Sequence, residues 1–163
     1  LLKFKKLNKL FGTVYITSQM YLSNWRQKDF GDFQKKFSKV FSSFDAKKLS
    51  KIDTKKEKIN IGFLSPDFCK SHSISYFVKN LIKDLKQTKY KSYGLSLLRV
   101  EEHDETTQIF KDLFDEWIDL GNKSDQDIVN IIQNSNIDIL VDLAAYGPLT
   151  EYLFLIQEFV LYR

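Results

Sequence analysis

Between residues 59 and 143 the apolar positions switch repeatedly between two rhythms: short runs or strict alternation, and longer stretches with apolar residues three and four apart. The run INIGFL at 59–64, closed by Ser65 and Pro66, has the pattern of a buried strand with a loop at its carboxyl end. A helix is predicted next, with Tyr76, Phe77, Leu81, Ile82 and Leu85 on one side. Residues 91–98 alternate, placing Tyr93, Leu95 and Leu97 on one face of a second strand. A polar loop around Glu101 and Glu105 leads to a helix carrying Ile109, Phe110, Leu113 and Phe114, then to a short strand, WIDL, at 117–120. A helix over 125–133 carries Ile128, Val129, Ile131 and Ile132, and IDILVDL at 137–143 is the most strand-like run in the chain. Strands that alternate with helices in this way predict an α/β fold with a parallel sheet and right-handed crossovers.

Upstream the pattern is helical. Apolar residues between Leu10 and Leu22 suit a helix, which the β-branched Thr13, Val14, Ile16 and Thr17 weaken. Phe30, Phe33, Phe37, Val40, Phe41 and Phe44 fall at helical spacing behind Asp29 as a cap, and an aromatic stripe of this kind is a packing face. DAKKLSKIDTKKEK at 45–58 is nearly without apolar anchors and reads as an exposed linker. The expected organisation is therefore a helical segment over 1–44, a basic linker over 45–58 and an α/β lobe over 59–163.

Charge divides the chain in the same place. Residues 1–58 hold 15 Lys and Arg against 5 Asp and Glu, a balance of +10, while residues 59–163 hold 10 against 16, a balance of −6. A basic head beside an acidic body suits an acidic partner, but lysines on exposed helix faces are ordinarily just solvated, so no nucleic-acid partner is expected. One cysteine, Cys69, allows no internal disulfide, and no apolar stretch reaches the roughly 18 to 20 residues that cross a bilayer, so a cytoplasmic setting and no membrane partner are expected. Leu1 in place of Met, and an apolar Val160 and Leu161 just before Arg163, imply that both ends are internal to a longer protein.

Ligands of open parallel sheets collect beyond the carboxyl ends of the strands, which directs attention to the loops after Leu64 and Leu143. In the first, Ser65, Asp67, Ser71, His72 and Ser73 precede a helix, where free backbone N–H groups would favour an anion, although Ser and Asp in that place are also ordinary caps. His72 is a candidate acid, base or phosphate donor; His103, between Glu102 and Asp104, reads as a solvated side chain. No HExxH or cysteine-pair spacing suggests a metal, and no GxGxxG, P-loop or nucleophile elbow is present.

These segments carry a resemblance. INIGFLSPDFCKSHSISYF at 59–77 resembles the opening strand and loop of the family 41 protein O-glycosyltransferases, the O-GlcNAc transferase and SPINDLY type, whose SPINDLY branch has a similar run of Ser-Pro-Asp, His and Ser-x-Ser-Tyr-Phe. TKYKSYGLS at 88–96, WIDL at 117–120 and IDILVDLAAY at 137–146 continue it, and NWRQKDFGDFQKKFSKVF at 24–41 is similar to the helix that joins the tetratricopeptide (TPR) repeats to the catalytic region. There are departures: one extra residue between Phe68 and His72, Ala145-Tyr146 where the family has Gly-His or Gly-Tyr, and PLTEYLFLIQEFVLYR after Gly147 in place of a basic, Pro-containing run. Divergence, a frame error and a truncated gene would each produce that last change.

The resemblance implies a Rossmann-like N-terminal lobe of a GT-B glycosyltransferase, preceded by an α-helical segment and completed in the parent protein by a C-terminal lobe. The parent would transfer a sugar from a nucleotide donor, UDP-GlcNAc in the first instance, to Ser or Thr hydroxyls of protein substrates without a metal. It implies His72 as the catalytic residue, with Ser65, Asp67 and Tyr146 binding substrate. SPINDLY-type fucosyl transfer is the alternative within the class, and a non-catalytic α/β interaction module the alternative outside it.

Overall fold

Four strands and three helices alternate along the described part of the chain: β1 (Ile59–Ser65), α1 (Ile74–Leu85), β2 (Tyr90–Ser96), α2 (Glu105–Leu113), β3 (Glu116–Asp119), α3 (Asp125–Asn134) and β4 (Ile139–Asp142), with a 3-10 turn over Val100–Glu102. The computed structural model describes Tyr21, Asp32, residues 57–70 and residues 72–143. The predicted helices at 10–22 and 30–44, most of the basic linker, Ser71, Tyr146 and the divergent run after Gly147 lie outside the described residues.

All strand pairs are parallel, and the sheet order is β3-β2-β1-β4. The predicted α/β class is the observed one. The strands step outward from β1 to β2 to β3, after which the chain returns to pair β4 on the other side of β1. With right-handed crossovers this reversal puts α1 and α2 over one face of the sheet and α3 over the other. Burial agrees with that division. Phe63 belongs to a cluster with Phe68, Val78, Ile82, Phe110 and Phe114, against which Ile61, Trp117 and Val141 pack. Side chains alternate along a strand, so the fully buried Leu64 and Leu95 face away from that cluster, where Ile128 and Ile132 of α3 are buried too.

One register detail explains a glycine. Gly94 faces the aromatic cluster, and a Cβ there would lie 2.5 Å from Trp117 and 2.6 Å from Phe114. Only a residue without a side chain lets both rings reach the sheet.

The apolar face of α1 is the expected one at Ile82 and Leu85 and differs from it at Tyr76, Phe77 and Leu81. Val78 and Ile82 are buried, with Ile74 and Leu85 packed against the same core. Tyr76 and Phe77 are 71% and 76% exposed, and Leu81 is exposed as well. Two apolar stripes run along this helix, and the 74, 78, 82, 85 series is the one at the 3.6-residue period that meets the sheet.

Candidate functional site

Pairing of β1 with β4 continues to the carboxyl edge, where Leu64 lies opposite Asp142 and the Leu143 N–H donates to the Leu64 carbonyl at 3.0 Å. The carboxyl ends of these two strands therefore lie side by side, at the point where strand order reverses. In open α/β sheets this is where a crevice forms.

The β1 loop is shaped by its own residues. Ser65 is fully buried, and its hydroxyl accepts from the Asp67 N–H at 3.0 Å, so its direct role is to set the turn that carries Asp67. Phe68, although inside a loop rich in polar residues, is fully buried, with its ring 5.0 Å from Phe110, 5.4 Å from Trp117 and 5.5 Å from Phe114. It pulls the loop down onto the core. His72 is held at the entrance of α1 by its carbonyl, which accepts from the Ser75 N–H at 3.2 Å and the buried Ser75 hydroxyl at 2.8 Å.

This arrangement alters one expectation. Amides at the start of α1 already have partners in the chain: Ser75 N–H on the His72 carbonyl, Tyr76 N–H on the Ser73 carbonyl at 3.0 Å, and Ile74 N–H on His72 Nδ1 at 3.4 Å. An open cradle of free N–H groups for an anion is not what the helix start presents. A tight turn leading into the helix uses those donors locally.

What the loop does present is a paired acid and base. His72 Nδ1 lies 3.6 Å from Asp67 Oδ2, with the imidazole 45% exposed and the carboxylate 24% exposed. Burial raises the Asp67 carboxyl above its ordinary value, and the nearby His72 offsets part of that rise. Nδ1 has two neighbours with opposite demands, the Ile74 amide as donor and the Asp67 carboxylate as acceptor. With the proton on Nδ1 it serves the carboxylate and leaves Nε2 as a base; with Nδ1 unprotonated it serves the amide and Nε2 is a donor. Ser65, Asp67 and His72 are thus brought together on one loop, while Tyr146 lies outside the described residues.

His103 departs from the solvated reading. Its side chain is only 15% exposed, its Nε2 is buried without a hydrogen bond, and the nearest carboxylate oxygen is Asp119 Oδ1 at 3.5 Å. Asp119 also accepts from Trp117 Nε1 at 2.6 Å and Lys111 Nζ at 3.3 Å. This cluster closes the end of β3. Among the described residues no group of three or more His, Cys, Asp and Glu is arranged to hold a metal, and no helix is long and apolar enough to cross a membrane.

Two contributors escaped the sequence reading. Phe68 was hidden because an isolated aromatic in a polar loop has no periodicity to mark it. Asp104 is the other: it caps α2 by accepting from the Thr107 N–H at 2.9 Å, and its second oxygen accepts from the Lys70 N–H at 2.8 Å. The D-x-x-T spacing signals the cap, but nothing local signals a partner in another loop.

No known protein-family pattern matches the chain, and no curated protein matches it in sequence. Among solved structures, it is similar to a mutant of the Thermobaculum terrenum O-GlcNAc transferase, with a TM-score of 0.79 and 19% identity over 92% of this chain. The matched region is 28% of that protein, so the chain spans less than a third of its length. At this identity the likeness shows a shared fold, a parallel α/β unit.

Proposed function

We propose that this chain contributes the N-terminal α/β lobe of a family 41-type protein O-glycosyltransferase, with His72 and Asp67 forming one wall of its cleft. The observation that carries the reading is the His72–Asp67 pair, 3.6 Å apart and half open to solvent, on the loop after β1 at the reversal of strand order. The fold likeness to an O-GlcNAc transferase and the family-like run at 59–77 support it.

The reaction asks for such a group. A Ser or Thr hydroxyl that attacks the anomeric carbon must lose its proton, while the nucleoside diphosphate leaves with the electron pair of the broken C–O bond. His72, with Nδ1 toward Asp67, would present Nε2 to orient the acceptor hydroxyl and receive that proton. Asp67 would stabilise the imidazolium that results, and Ser65 would hold Asp67 in place. Tyr146, after β4, is proposed to face the same cleft, with the donor nucleotide held mainly by a second lobe and protein substrates presented by upstream TPR repeats. We take UDP-GlcNAc as the donor and a cytoplasmic, metal-independent enzyme as the parent.

The test is transfer to a protein acceptor by the full-length parent enzyme. His72→Ala is expected to lower turnover by about 10²- to 10⁴-fold, the range for a lost acid-base group. Unchanged turnover overturns the reading. Transfer from GDP-fucose but not from UDP-GlcNAc would instead assign the SPINDLY-type activity, and no transfer from either would favour the interaction module.

A further inference from the structure

The loop that carries His72 is tied down at two places, and one tie comes from a distant segment. Phe68 is fixed in the core, and two residues later the Lys70 N–H donates to Asp104 Oδ2 at 2.8 Å, across 34 positions of sequence. The two oxygens of Asp104 are divided between separate tasks. Oδ1 accepts from the Thr107 N–H at 2.9 Å and the Thr107 hydroxyl at 3.2 Å, closing a capping box that the Asp104 N–H completes on Thr107 Oγ1 at 3.1 Å. Oδ2 is left for Lys70. The Lys70 amide is also the leading reason that the Asp104 carboxyl is held below the ordinary range.

A plain helix cap needs only one oxygen. The second, on a backbone amide two residues before His72, acts on the loop. We propose that Asp104 is a positioning residue for the His72–Asp67 pair: its Oδ2 holds the Lys70 amide and so sets the course of the loop that brings His72 to Asp67. The functional part of this proposal rests on the reading of that pair as the site.

Asp104→Asn separates the two tasks, because a carboxamide keeps one acceptor for the cap but offers an N–H where the Lys70 amide needs an oxygen. Asp104→Ser, a good cap with a single hydroxyl, serves the same purpose should the Asn variant fail to fold. Thr107→Val is the opposite control, weakening the capping box while leaving both Asp104 oxygens. In the 163-residue chain, amide hydrogen exchange at Lys70 and the NMR chemical shifts of the His72 ring at one fixed pH are the measurements. Asp104→Asn is expected to speed Lys70 exchange by about ten- to a hundredfold, as for a lost charge-assisted hydrogen bond, and to move the His72 ring resonances while the β1 amides keep their protection. Thr107→Val should lower Tm and leave both readings as in the parent chain. Unchanged Lys70 exchange and His72 ring resonances in Asp104→Asn, or equal changes in Thr107→Val, overturn the positioning role. These readings do not depend on catalysis, so they are distinct from unaltered transfer by His72→Ala, which would overturn the site itself.

Discussion

Asp67 carries a cost that its neighbours only partly relieve. Its folded pKa is raised, first by burial, with His72 acting against that. A carboxyl with a raised folded pKa contributes stability that is fully present below its unfolded value of about 3.9 and lost as pH climbs through the folded value. Above that window the ionised, partly buried group is unfavourable. Asp67→Asn is therefore expected to raise Tm at pH 7 relative to the parent chain, with the gain disappearing near pH 3.5. Equal Tm differences at both pH values would show that burial of the charge is not what moves this group. At the end of β3, Trp117, Lys111 and His103 gather around one carboxylate, that of Asp119. Asp119→Ala leaves the Trp117 indole N–H without its 2.6 Å partner and should cost about 1 to 3 kcal/mol, with a change in tryptophan emission as a second readout.

Elements bring together what residues cannot. The β1 loop is polar in composition but is anchored through an aromatic side chain, since Phe68 packs against Phe110 of α2, Phe114 and Trp117. Removing the ring empties a fully buried site next to the candidate pair, so Phe68→Ala should destabilise the chain by about 3 to 5 kcal/mol in denaturant unfolding. Gly94 makes the complementary point in β2. An added methyl would press on two rings that are themselves fixed by their neighbours, and Gly94→Ala is expected to cost about 1 to 3 kcal/mol by overpacking, measured the same way. At β4, the Asn60 N–H donates to Asp138 Oδ2 at 2.9 Å and its side-chain amide to the Asn136 carbonyl at 2.8 Å, which secures the start of the β1–β4 pairing.

At the scale of the described sheet, strand order reverses beside β1, the strand whose carboxyl end leads into the His72 loop. Under the proposed function the cleft is completed by a second lobe, and the matched region is 28% of the similar O-GlcNAc transferase. A few hydrogen bonds from one loop contribute about 0.5 to 1.5 kcal/mol each, too little to offset the roughly 4 to 15 kcal/mol lost when a ligand is immobilised. The 163-residue chain is accordingly expected to bind UDP-GlcNAc and GDP-fucose at millimolar concentrations or more weakly in calorimetry. Micromolar binding of either would place the donor site in this lobe instead.

Period and composition were enough to establish the alternation of strands and helices and the parallel class, because these depend on residues close in sequence. INIGFL is apolar from Ile61 onward, after Asn60, since both faces of a central parallel strand are covered, and that property is local. The face of α1 was not decided in this way: Phe77 and Leu81 are as apolar as Ile74, Val78 and Ile82, and only the position of the sheet selects between the two stripes. His103, read as a solvated side chain, and Asp119, sixteen residues on in the WIDL strand, became neighbours through the β2-to-β3 step. The same holds for the candidate site. His72 and Asp67 were legible as chemistry on a loop, but the burial that raises Asp67, the ring that anchors the loop and the Asp104 oxygen on Lys70 all arise from segments that the fold brings together across the sheet edge. Hydrophobic periodicity records which elements form; the partners of a buried polar atom depend on long-range packing, which no local pattern encodes.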